Sequence, residues 1–360
     1  MTSREHRLEA PHRRGAGTRP RIVERIGVLA YRATAWLLHV LPPRPAGLVV
    51  GLVAQASYIF WPAKRRWSNN NFGHVLGLPP NDRRVRALAL RSYREYGRYL
   101  VELMRLPSLP PDEVGRLFGN LDDQDVEFRQ IWNDSPGGLI LSAVHIGNNE
   151  AIAAGVASRG FPISVVADDT SFPELFELLR RQRAAWGFTL IPWRNLRAIF
   201  GVLRRGEMLG LLIDWGYRSD GIPVRLFDAW TTLPAGPAAM AAKTGSHILP
   251  VAIRRRPDGM FGVTWTAPIV VASSDPAELQ RATQAMADAM ADAIRAAPHQ
   301  WYSFKPLWPA SAAESVDLER RGRAMQAGRT DPGPGRDMPR DDADQVGTER
   351  PGADTVEAAS

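Results

Sequence analysis

The sequence predicts an α/β protein in which helices flank a mixed, mostly parallel central sheet, with membrane-associating helices at the N-terminus. Short apolar runs alternate with helical segments from about residue 138 onward, and most of these helices end at glycine, which is typical of a partly parallel sheet. Residues 21–62 are instead apolar and amphipathic without that alternation. The 360 residues include no cysteine, which excludes disulfides, thiol catalysis and cysteine-based zinc sites.

The first 62 residues contain two different segments. Residues 1–20 are rich in Arg, Pro and Gly, and we expect a disordered basic arm. Residues 21–62 predict two helices that pack on the domain and dip into one membrane leaflet, although two ordinary core helices would give the same pattern. The uncharged run 45–63 approaches the roughly 20 residues of a spanning helix, but Gln55 and prolines at both ends weaken that reading. No secretory signal peptide is recognised, so we expect the cytoplasmic side of a membrane.

Residues 63–309 are predicted to form the main domain. After a helix at 83–105, strands are predicted at 138–144, 163–167, 189–192 and 208–213, with helices between them at 149–159, 172–186 and 195–205. There follow a strand at 224–227, a helix at 235–244, strands at 247–253 and 261–271 joined by a hairpin turn at 256–259, and a helix at 276–297. Residues 310–360 are predicted to be a disordered tail, because 311–360 contain no Ile, Phe, Trp or Tyr.

The charge of the chain favours anionic partners. The net charge is +7 and the pI is about 10, with the basic residues in short clusters such as Lys64-Arg65-Arg66. Membrane lipid, nucleic acid and phosphorylated substrates are all compatible with this charge. Eleven tryptophans favour an anionic membrane surface, where Trp prefers the interface. No nucleic-acid reader motif is present, so we predict no nucleic-acid partner.

One motif predicts a catalytic base. The apolar run 138–144 ends at His145, and Glu150 follows at the start of a helix that Asn148 or Asn149 can cap. If the chain folds the imidazole back over the first helical turn, the carboxylate fixes its tautomer and stabilises the imidazolium, which makes His145 a general base. A surface histidine followed by an ordinary first-turn glutamate is the alternative.

Four segments, in the same order, resemble the bacterial lysophospholipid acyltransferase-like superfamily. The similar branch contains lipid A lauroyl/myristoyl acyltransferases and phosphatidylinositol mannoside acyltransferases, and the resemblance covers residues 21–309. The segments are His145-Ile-Gly147-Asn148-Asn149-Glu150, Leu212–Arg218 with Val224–Phe227, Leu233–Ala241 with Thr244-Gly245 and Leu249-Pro250-Val251, and Pro298-His-Gln-Trp301. Three positions depart from the family pattern: Asn149 replaces a common Trp, Asp228 stands where Glu is usual, and Trp215 follows Asp214.

The resemblance implies a glycerolipid acyltransferase-like fold and a membrane-associated O-acyltransferase. The acyl donor would be acyl-CoA or acyl carrier protein, and the acceptor a hydroxyl of a membrane glycolipid or phospholipid. No cofactor is implied, and no pair of histidines has metal-ligand spacing. The expected location is the cytoplasmic face of the plasma membrane.

The resemblance also implies roles for individual residues. His145 would deprotonate the acceptor hydroxyl, with Glu150 orienting the ring, so that no serine nucleophile is needed. Backbone amides around Gly147–Asn149, and the side chain of Arg218, are candidates to stabilise the oxyanion.

The remaining candidates would bind substrate or support the site. Arg194, Arg218 and Arg225 are suited to phosphate, although each alone is an ordinary surface arginine by composition. Asp214 either holds Arg218 or caps a strand end. Asp228 either polarises His145 or is a turn residue.

Three other functions use the same sequence features. An esterase or thioesterase could use His145, but the chain lacks a G-x-S-x-G motif. A nucleic-acid binder is suggested by charge alone. A catalytically inactive lipid-binding protein of the same fold remains open because of the departures at Asn149 and Asp228.

Overall fold

A six-stranded sheet forms the centre of the molecule, and a two-stranded hairpin forms a second, smaller sheet. The structure is a computed structural model, and it describes residues 22–119, 121–169 and 173–334. The strands are β1 (Leu139–Ala143), β2 (Ile163–Ala167), β3 (Thr189–Pro192), β4 (Met208–Leu212), β5 (Ile222–Leu226), β6 (Ala229–Leu233), β7 (His247–Arg255) and β8 (Phe261–Trp265). The central order is β3-β2-β4-β1-β7-β8, parallel except for β8, so the predicted mixed, mostly parallel sheet is confirmed.

Helices flank this sheet. They are α1 (Ile22–Val40), α2 (Pro43–Phe60), α3 (Pro62–Leu76), α4 (Arg83–Arg105), α5 (Pro111–Gly115), α6 (Leu121–Asn133), α7 (Asn149–Ser158), α8 (Pro173–Ala184), α9 (Leu196–Arg204), α10 (Gly236–Thr244), α11 (Pro276–Ala296) and α12 (Ala312–Gln326). The elements predicted from 83 to 255 and at 276–297 are confirmed within a few residues, apart from the additional helices α5 and α6 and strand β6.

Two hydrophobic cores lie on opposite faces of the sheet. In β1, Ile140 belongs to one core, whereas Leu139 and Leu141 belong to the other. Side chains alternate along a strand, so a sheet covered on both faces needs apolar residues at every position. This explains why the strands read as continuous apolar runs.

The N-terminal helices pack on the domain through α4. Gly51 of α2 and Gly97 of α4 allow the two backbones to meet, since a Cβ at Gly97 would lie 2.5 Å from the Gly51 Cα. The two helices expected within 21–62 are thus confirmed as α1 and α2. In the described part of the chain no single helix has the length and apolar character of a membrane span; α2 and α3 meet that test only as a pair bent by 98°.

The hairpin of β5 and β6 was not fully predicted. Its two-residue turn contains Phe227, which has a φ of 56°, and Asp228. Hairpin turns with positive φ normally contain glycine or asparagine, so no turn is predicted between Leu226 and Ala229. β8 is also shorter than predicted and ends at Trp265.

The prediction that 310–360 is a disordered tail is wrong for its first part. α12 begins with a capping box, in which the Ser311 hydroxyl accepts from the Glu314 amide and the Glu314 carboxylate accepts from the Ser311 amide. The helix buries Leu318 and Met325. The capping box and the burial of these two apolar side chains therefore stabilise a helix that the average composition of the tail does not predict. The arm at 1–20 and the end of the tail, 335–360, lie outside the described residues.

Candidate active site

The candidate site lies at the carboxyl edge of the sheet, where β1 and β4 end side by side. The Ile213 amide donates to the Ala143 carbonyl at 3.0 Å, which continues the pairing of β1 and β4 by one residue. His145 follows one strand and Asp214 the other. Because carboxyl ends of neighbouring parallel strands meet at one edge, residues 69 positions apart become neighbours.

His145 and Asp214 form a directed pair. The His145 Nδ1 lies 2.7 Å from the Asp214 Oδ1, and the His145 backbone N–H donates to both carboxylate oxygens, at 2.9 and 3.1 Å. The Asp214 side chain has no exposed surface, whereas that of His145 is 29% exposed. A carboxylate only accepts, so Nδ1 carries the proton and Nε2 is left as the basic nitrogen.

Charge interactions adjust both groups. Burial opposes protonation of His145, but the Asp214 carboxylate outweighs it and raises the pKa of His145 above its ordinary value; Lys305 acts in the opposite direction. Burial would raise the pKa of Asp214, but His145 and the hydrogen bonds from His145 and Trp301 lower it. The aspartate is therefore the fixed anion, and the histidine is the member that can exchange a proton.

A buried tryptophan completes the pair. The Trp301 Nε1 donates to the Asp214 Oδ2 at 2.9 Å, and Trp301 is 0% exposed. Its backbone runs beside the turn that carries His145, since Ile146 and Trp301 form a bridge and the Tyr302 amide donates to the His145 carbonyl at 2.8 Å. From the sequence, Trp301 is recognised only as part of a family motif, and its contact with Asp214 is not predicted.

The expected contact between Glu150 and His145 is a wrong prediction. The carboxylate that binds the His145 ring is that of Asp214. The Glu150 Oε2 instead accepts from the Arg183 Nε at 2.9 Å, and the Arg183 side chain is 1% exposed. A buried guanidinium requires an anionic partner. Arg183, on α8, therefore pairs with Glu150 in the first turn of α7.

The turn between His145 and α7 is fixed by its own hydrogen bonds. Gly147 has a φ of 63°, and a Cβ there would lie 2.2 Å from the Ile253 carbonyl oxygen. Its amide donates to the Gln300 carbonyl at 3.1 Å, so this expected oxyanion donor is already bonded. The Asn148 side chain accepts from the Ala151 amide, which confirms it as the cap of α7, and the Asn149 amide group donates to the Val144 carbonyl.

The predicted partners of Asp214 and Asp228 are also wrong. Arg218 binds Asp220, with its Nε 3.0 Å from Oδ1, and Asp214 binds His145. Asp228 lies in the hairpin turn and is 3.1 Å from the His74 Nδ1, so its turn role is correct and a polarising contact to His145 is not formed.

The other arginines lie at exposed positions. The Arg194 guanidinium stacks on Trp193, 4.8 Å from the ring centroid. Arg225 is on β5, where its backbone N–H and carbonyl bond to the Gln284 side chain. These contacts give neither side chain a direct link to His145.

Trp215 lies near His145, Lys305 lies over Trp215, and Lys64 lies over two further tryptophans; none of these was predicted as a site residue. The Trp215 ring is 6.1 Å from the His145 ring and 52% exposed, and the Lys305 Nζ sits 3.6 Å from its centroid. The Lys64 Nζ lies over Trp67 and Trp61, at 5.0 and 5.7 Å. Burial, and then the charge of Lys64, lower the pKa of Lys305.

Other chemistry finds little support in the described residues. Ser142 is 3% exposed and lies within β1. Across 22–119, 121–169 and 173–334, no three His, Asp or Glu side chains are grouped as a metal ion would require. The site therefore offers a histidine base with a fixed carboxylate partner.

Comparison of the sequence with known proteins gives one family match and several similar relatives. The sequence model of the family described as bacterial lipid A biosynthesis acyltransferase matches residues 15–309. A phosphatidylinositol mannoside acyltransferase of Mycolicibacterium smegmatis is 29% identical over 302 residues, which is 82% of this chain and 94% of that protein. The phosphatidylinositol mannoside acyltransferases of two Mycobacterium tuberculosis strains are also 29% identical, over 262 residues, covering 70% of this chain and 80% of theirs.

Proposed function

Because the chain belongs to the bacterial lipid A biosynthesis acyltransferase family, we propose that it transfers a fatty acyl group from a thioester donor to a hydroxyl of a membrane glycolipid. The observation that carries this proposal is the His145–Asp214 pair, in which a buried carboxylate holds Nδ1 and leaves Nε2 as the basic nitrogen. Acyl-CoA or acyl carrier protein is the donor in this proposal, and His145 is the general base.

The first step is attack on the thioester. The His145 Nε2 takes the proton of the acceptor hydroxyl while its oxygen bonds to the thioester carbonyl carbon, whose π electrons move to oxygen. The imidazolium that forms is stabilised by the Asp214 carboxylate at 2.7 Å. A hydroxyl is a weak nucleophile at neutral pH, so this proton transfer is what the site must supply.

The second step releases the thiol. The tetrahedral intermediate re-forms its carbonyl, the carbon–sulfur bond breaks, and the imidazolium returns its proton to the leaving sulfur. The products are an ester and a free thiol, and His145 is neutral again. No acyl-enzyme is formed, in keeping with the burial of Ser142.

We assign oxyanion stabilisation to the N-terminal turn of α7. This helix begins at Asn149, four residues after the base, and its positive end faces the turn that carries His145. The Gly147 amide and Arg218 are not assigned this role, because the first donates to Gln300 and the second is paired with Asp220.

The comparisons favour a particular acceptor class. The relatives are phosphatidylinositol mannoside acyltransferases, and one of them matches over 94% of its length. A phosphatidylinositol mannoside or a related glycolipid is therefore the acceptor that we propose. A catalytically inactive lipid-binding protein would bind such a lipid without turnover.

Phosphate groups of the donor or of the lipid headgroup have two suitable cations at the site. Lys305 lies over Trp215, whose ring is close to the His145 ring, and Lys64 is close enough to lower the pKa of Lys305. Two ammonium groups that repel each other gain stability when a dianionic phosphate binds between them. These lysines replace Arg194 and Arg225 as the proposed phosphate contacts.

The N-terminal helices support binding to a membrane. Most of the large apolar side chains that are exposed in the described part lie between Ile26 and Trp61, and Phe60 is 83% exposed. Exposed apolar surface of this extent marks an interaction site, and the Lys64-Arg65-Arg66 cluster follows it directly. We propose a peripheral or monotopic position at the cytoplasmic face of the plasma membrane, on anionic lipid.

Acyl transfer is tested with the purified full chain, radiolabelled long-chain acyl-CoA and extracted glycolipid. The wild type is expected to label a lipid, and His145→Ala to lower kcat by about 10³-fold because the base is lost. His247→Ala, at the amino end of β7, is the matched control and should keep its activity. Unchanged transfer in His145→Ala, or lipid binding without turnover in the wild type with either donor, would contradict the proposal.

Membrane binding is tested separately by sedimentation with anionic vesicles. The double variant Phe60→Gln/Trp61→Gln removes apolar surface and is expected to weaken binding about tenfold. Val126→Gln on α6 is the control, because Val126 is also exposed, at 79%. Equal binding of the two variants would exclude the C-terminal end of α2 as part of the docking surface.

A further inference from the structure

The C-terminal helix α12 contacts a loop of the candidate site. It lies beyond residues 15–309, which the family model matches, and it packs on α11 and on the hairpin of β5 and β6. The close approach is visible at Gly322, where a Cβ would lie 2.3 Å from the Trp230 ring. The helix α12 is therefore packed closely against the hairpin of β5 and β6, and this hairpin follows the loop after Asp214.

Arg321 is the side chain that reaches this loop. Its Nη1 donates to the Ser219 carbonyl at 2.6 Å, and its Nη2 donates to the Gly221 carbonyl at 3.0 Å. On the other side, its Nε and Nη2 donate to the two oxygens of Asp331, at 2.9 and 2.6 Å. Arg321 is 1% exposed.

A buried guanidinium at this position is expensive unless every donor has a partner. Arginine suits the position because its planar fork bonds two loop carbonyls and one carboxylate at the same time, which the single ammonium of lysine cannot reproduce. Asp331 is held in turn by the Gly333 amide at 2.9 Å. The charge is neutralised by Asp331, and the remaining hydrogen bonds go to the loop.

The loop 215–221 connects Asp214 to strand β5. It starts one residue after Asp214 and carries Trp215, whose ring lies 6.1 Å from that of His145. Its other attachments are the Tyr217 amide, which donates to the Pro306 carbonyl at 2.8 Å, and Thr232, which accepts from and donates to the backbone of Arg218. Arg321 adds two hydrogen bonds at the other end of the loop, to the carbonyls of Ser219 and Gly221, just before β5 begins at Ile222.

We propose that Arg321 is a positioning residue, which holds loop 215–221 so that Trp215 forms a fixed substrate-binding wall beside His145. The kinetic part of this inference rests on the proposed acyltransferase function. His145 and Asp214 are held by the ends of β1 and β4, so Arg321 affects substrate binding and leaves proton transfer unchanged.

The experiment compares Arg321→Met with Arg323→Met in the full chain. Arg323 is the matched control, because it is on the same helix but is exposed and paired with Glu319. Hydrogen exchange of the 215–221 amides is expected to become faster in Arg321→Met only. KM for the donor or for the acceptor is expected to rise about fivefold, with kcat and its pH profile unchanged.

This pattern differs from that of a purely structural role. A loss of folded protein lowers the apparent kcat and leaves KM unchanged, so unchanged KM values for both substrates overturn the proposal. Unchanged exchange in loop 215–221 overturns it as well, and this readout needs no turnover. If the wild type shows no acyl transfer, the proposed function fails, and hydrogen exchange still decides whether Arg321 holds the loop.

Asp331→Asn gives a second route if Arg321→Met does not fold. It keeps the guanidinium and its bonds to the carbonyls of Ser219 and Gly221 but removes the neutralising charge. We expect a smaller change in the same direction for both hydrogen exchange and KM. Arg321→Lys should fall between the wild type and Arg321→Met, and full activity of Arg321→Lys with wild-type exchange would contradict the need for a two-carbonyl fork.

Discussion

Asp214 and Glu150 both lie just beyond the carboxyl edge of the sheet, and each pairs with a basic side chain. In one pair the carboxylate is the buried member, and in the other the basic side chain is. Asp214 is fully buried and binds a histidine that is 29% exposed, whereas Glu150 is 25% exposed and binds an arginine that is 1% exposed. Arginine remains protonated in proteins, but histidine can exchange its proton near neutral pH. The first pair is therefore suited to chemistry and the second to joining α7 to α8.

The largest difference between the two carboxylates is expected in turnover. Asp214→Asn removes the charge that stabilises the imidazolium and allows the wrong tautomer, so kcat should fall by about 10²-fold or more. Glu150→Gln should change kcat of the folded protein only a few-fold. The measurement is acyl transfer with both substrates saturating, corrected for the folded fraction. A larger loss of kcat in Glu150→Gln would reverse the assignment.

The next difference is expected in stability. Glu150→Gln leaves the buried Arg183 without its anion, which should lower the free energy of unfolding by about 3 kcal/mol. Glu177→Gln is the control, because Glu177 is exposed and its ion pairs with Arg180 and Arg181 should contribute little to stability. Chemical denaturation of both variants measures the difference. Equal stabilities would mean that Arg183 needs no partner.

A partial test of Glu150 and Arg183 comes from replacing both residues. Glu150→Gln/Arg183→Met removes the uncompensated charge, so the double variant should be more stable than Glu150→Gln alone. If the double variant loses as much stability as Glu150→Gln and Arg183→Met lose together, the two side chains do not act as a pair.

The smallest effect is expected at Trp301. Trp301→Phe keeps a large ring but removes the Nε1 donor to Asp214, which should lower kcat several-fold and cost about 1 kcal/mol of stability. Trp308→Phe is the control, because Trp308 is buried and its Nε1 has no hydrogen-bond partner among the described residues. A similar loss of kcat in both variants would assign the effect to packing rather than to the hydrogen bond.

Much of the fold could be predicted because each element is encoded locally. The parallel strands are buried on both faces and read as apolar runs, and most of the intervening helices end at glycines. The base His145 could be found for the same reason. Its partner could not be found, because the neighbour of β1 is set by the strand order β3-β2-β4-β1, which an alternating pattern does not specify. Proximity in sequence therefore predicts Glu150 as the partner of His145, whereas the partner in the structure is Asp214.

Composition misled the interpretation of the C-terminus. An average over 50 residues hid the Ser311 and Glu314 capping box and the buried residues of α12. The hairpin of β5 and β6 was hidden for a different reason, since Phe227 adopts a positive φ that its sequence does not favour. The helix α12 therefore has a local signal that the average conceals, whereas the hairpin turn has none, and its Phe227 packs against Trp308 and Arg295.

The most direct test of the central claim is the titration of the His145 imidazole by NMR in histidine-labelled protein, with His145→Gln used for assignment. A pKa above the ordinary value of about 6.5 and a neutral form protonated at Nδ1 are expected in the wild type and in Glu150→Gln. Asp214→Asn should lower that pKa. A neutral form protonated at Nε2, or a pKa that falls in Glu150→Gln and not in Asp214→Asn, would contradict the account.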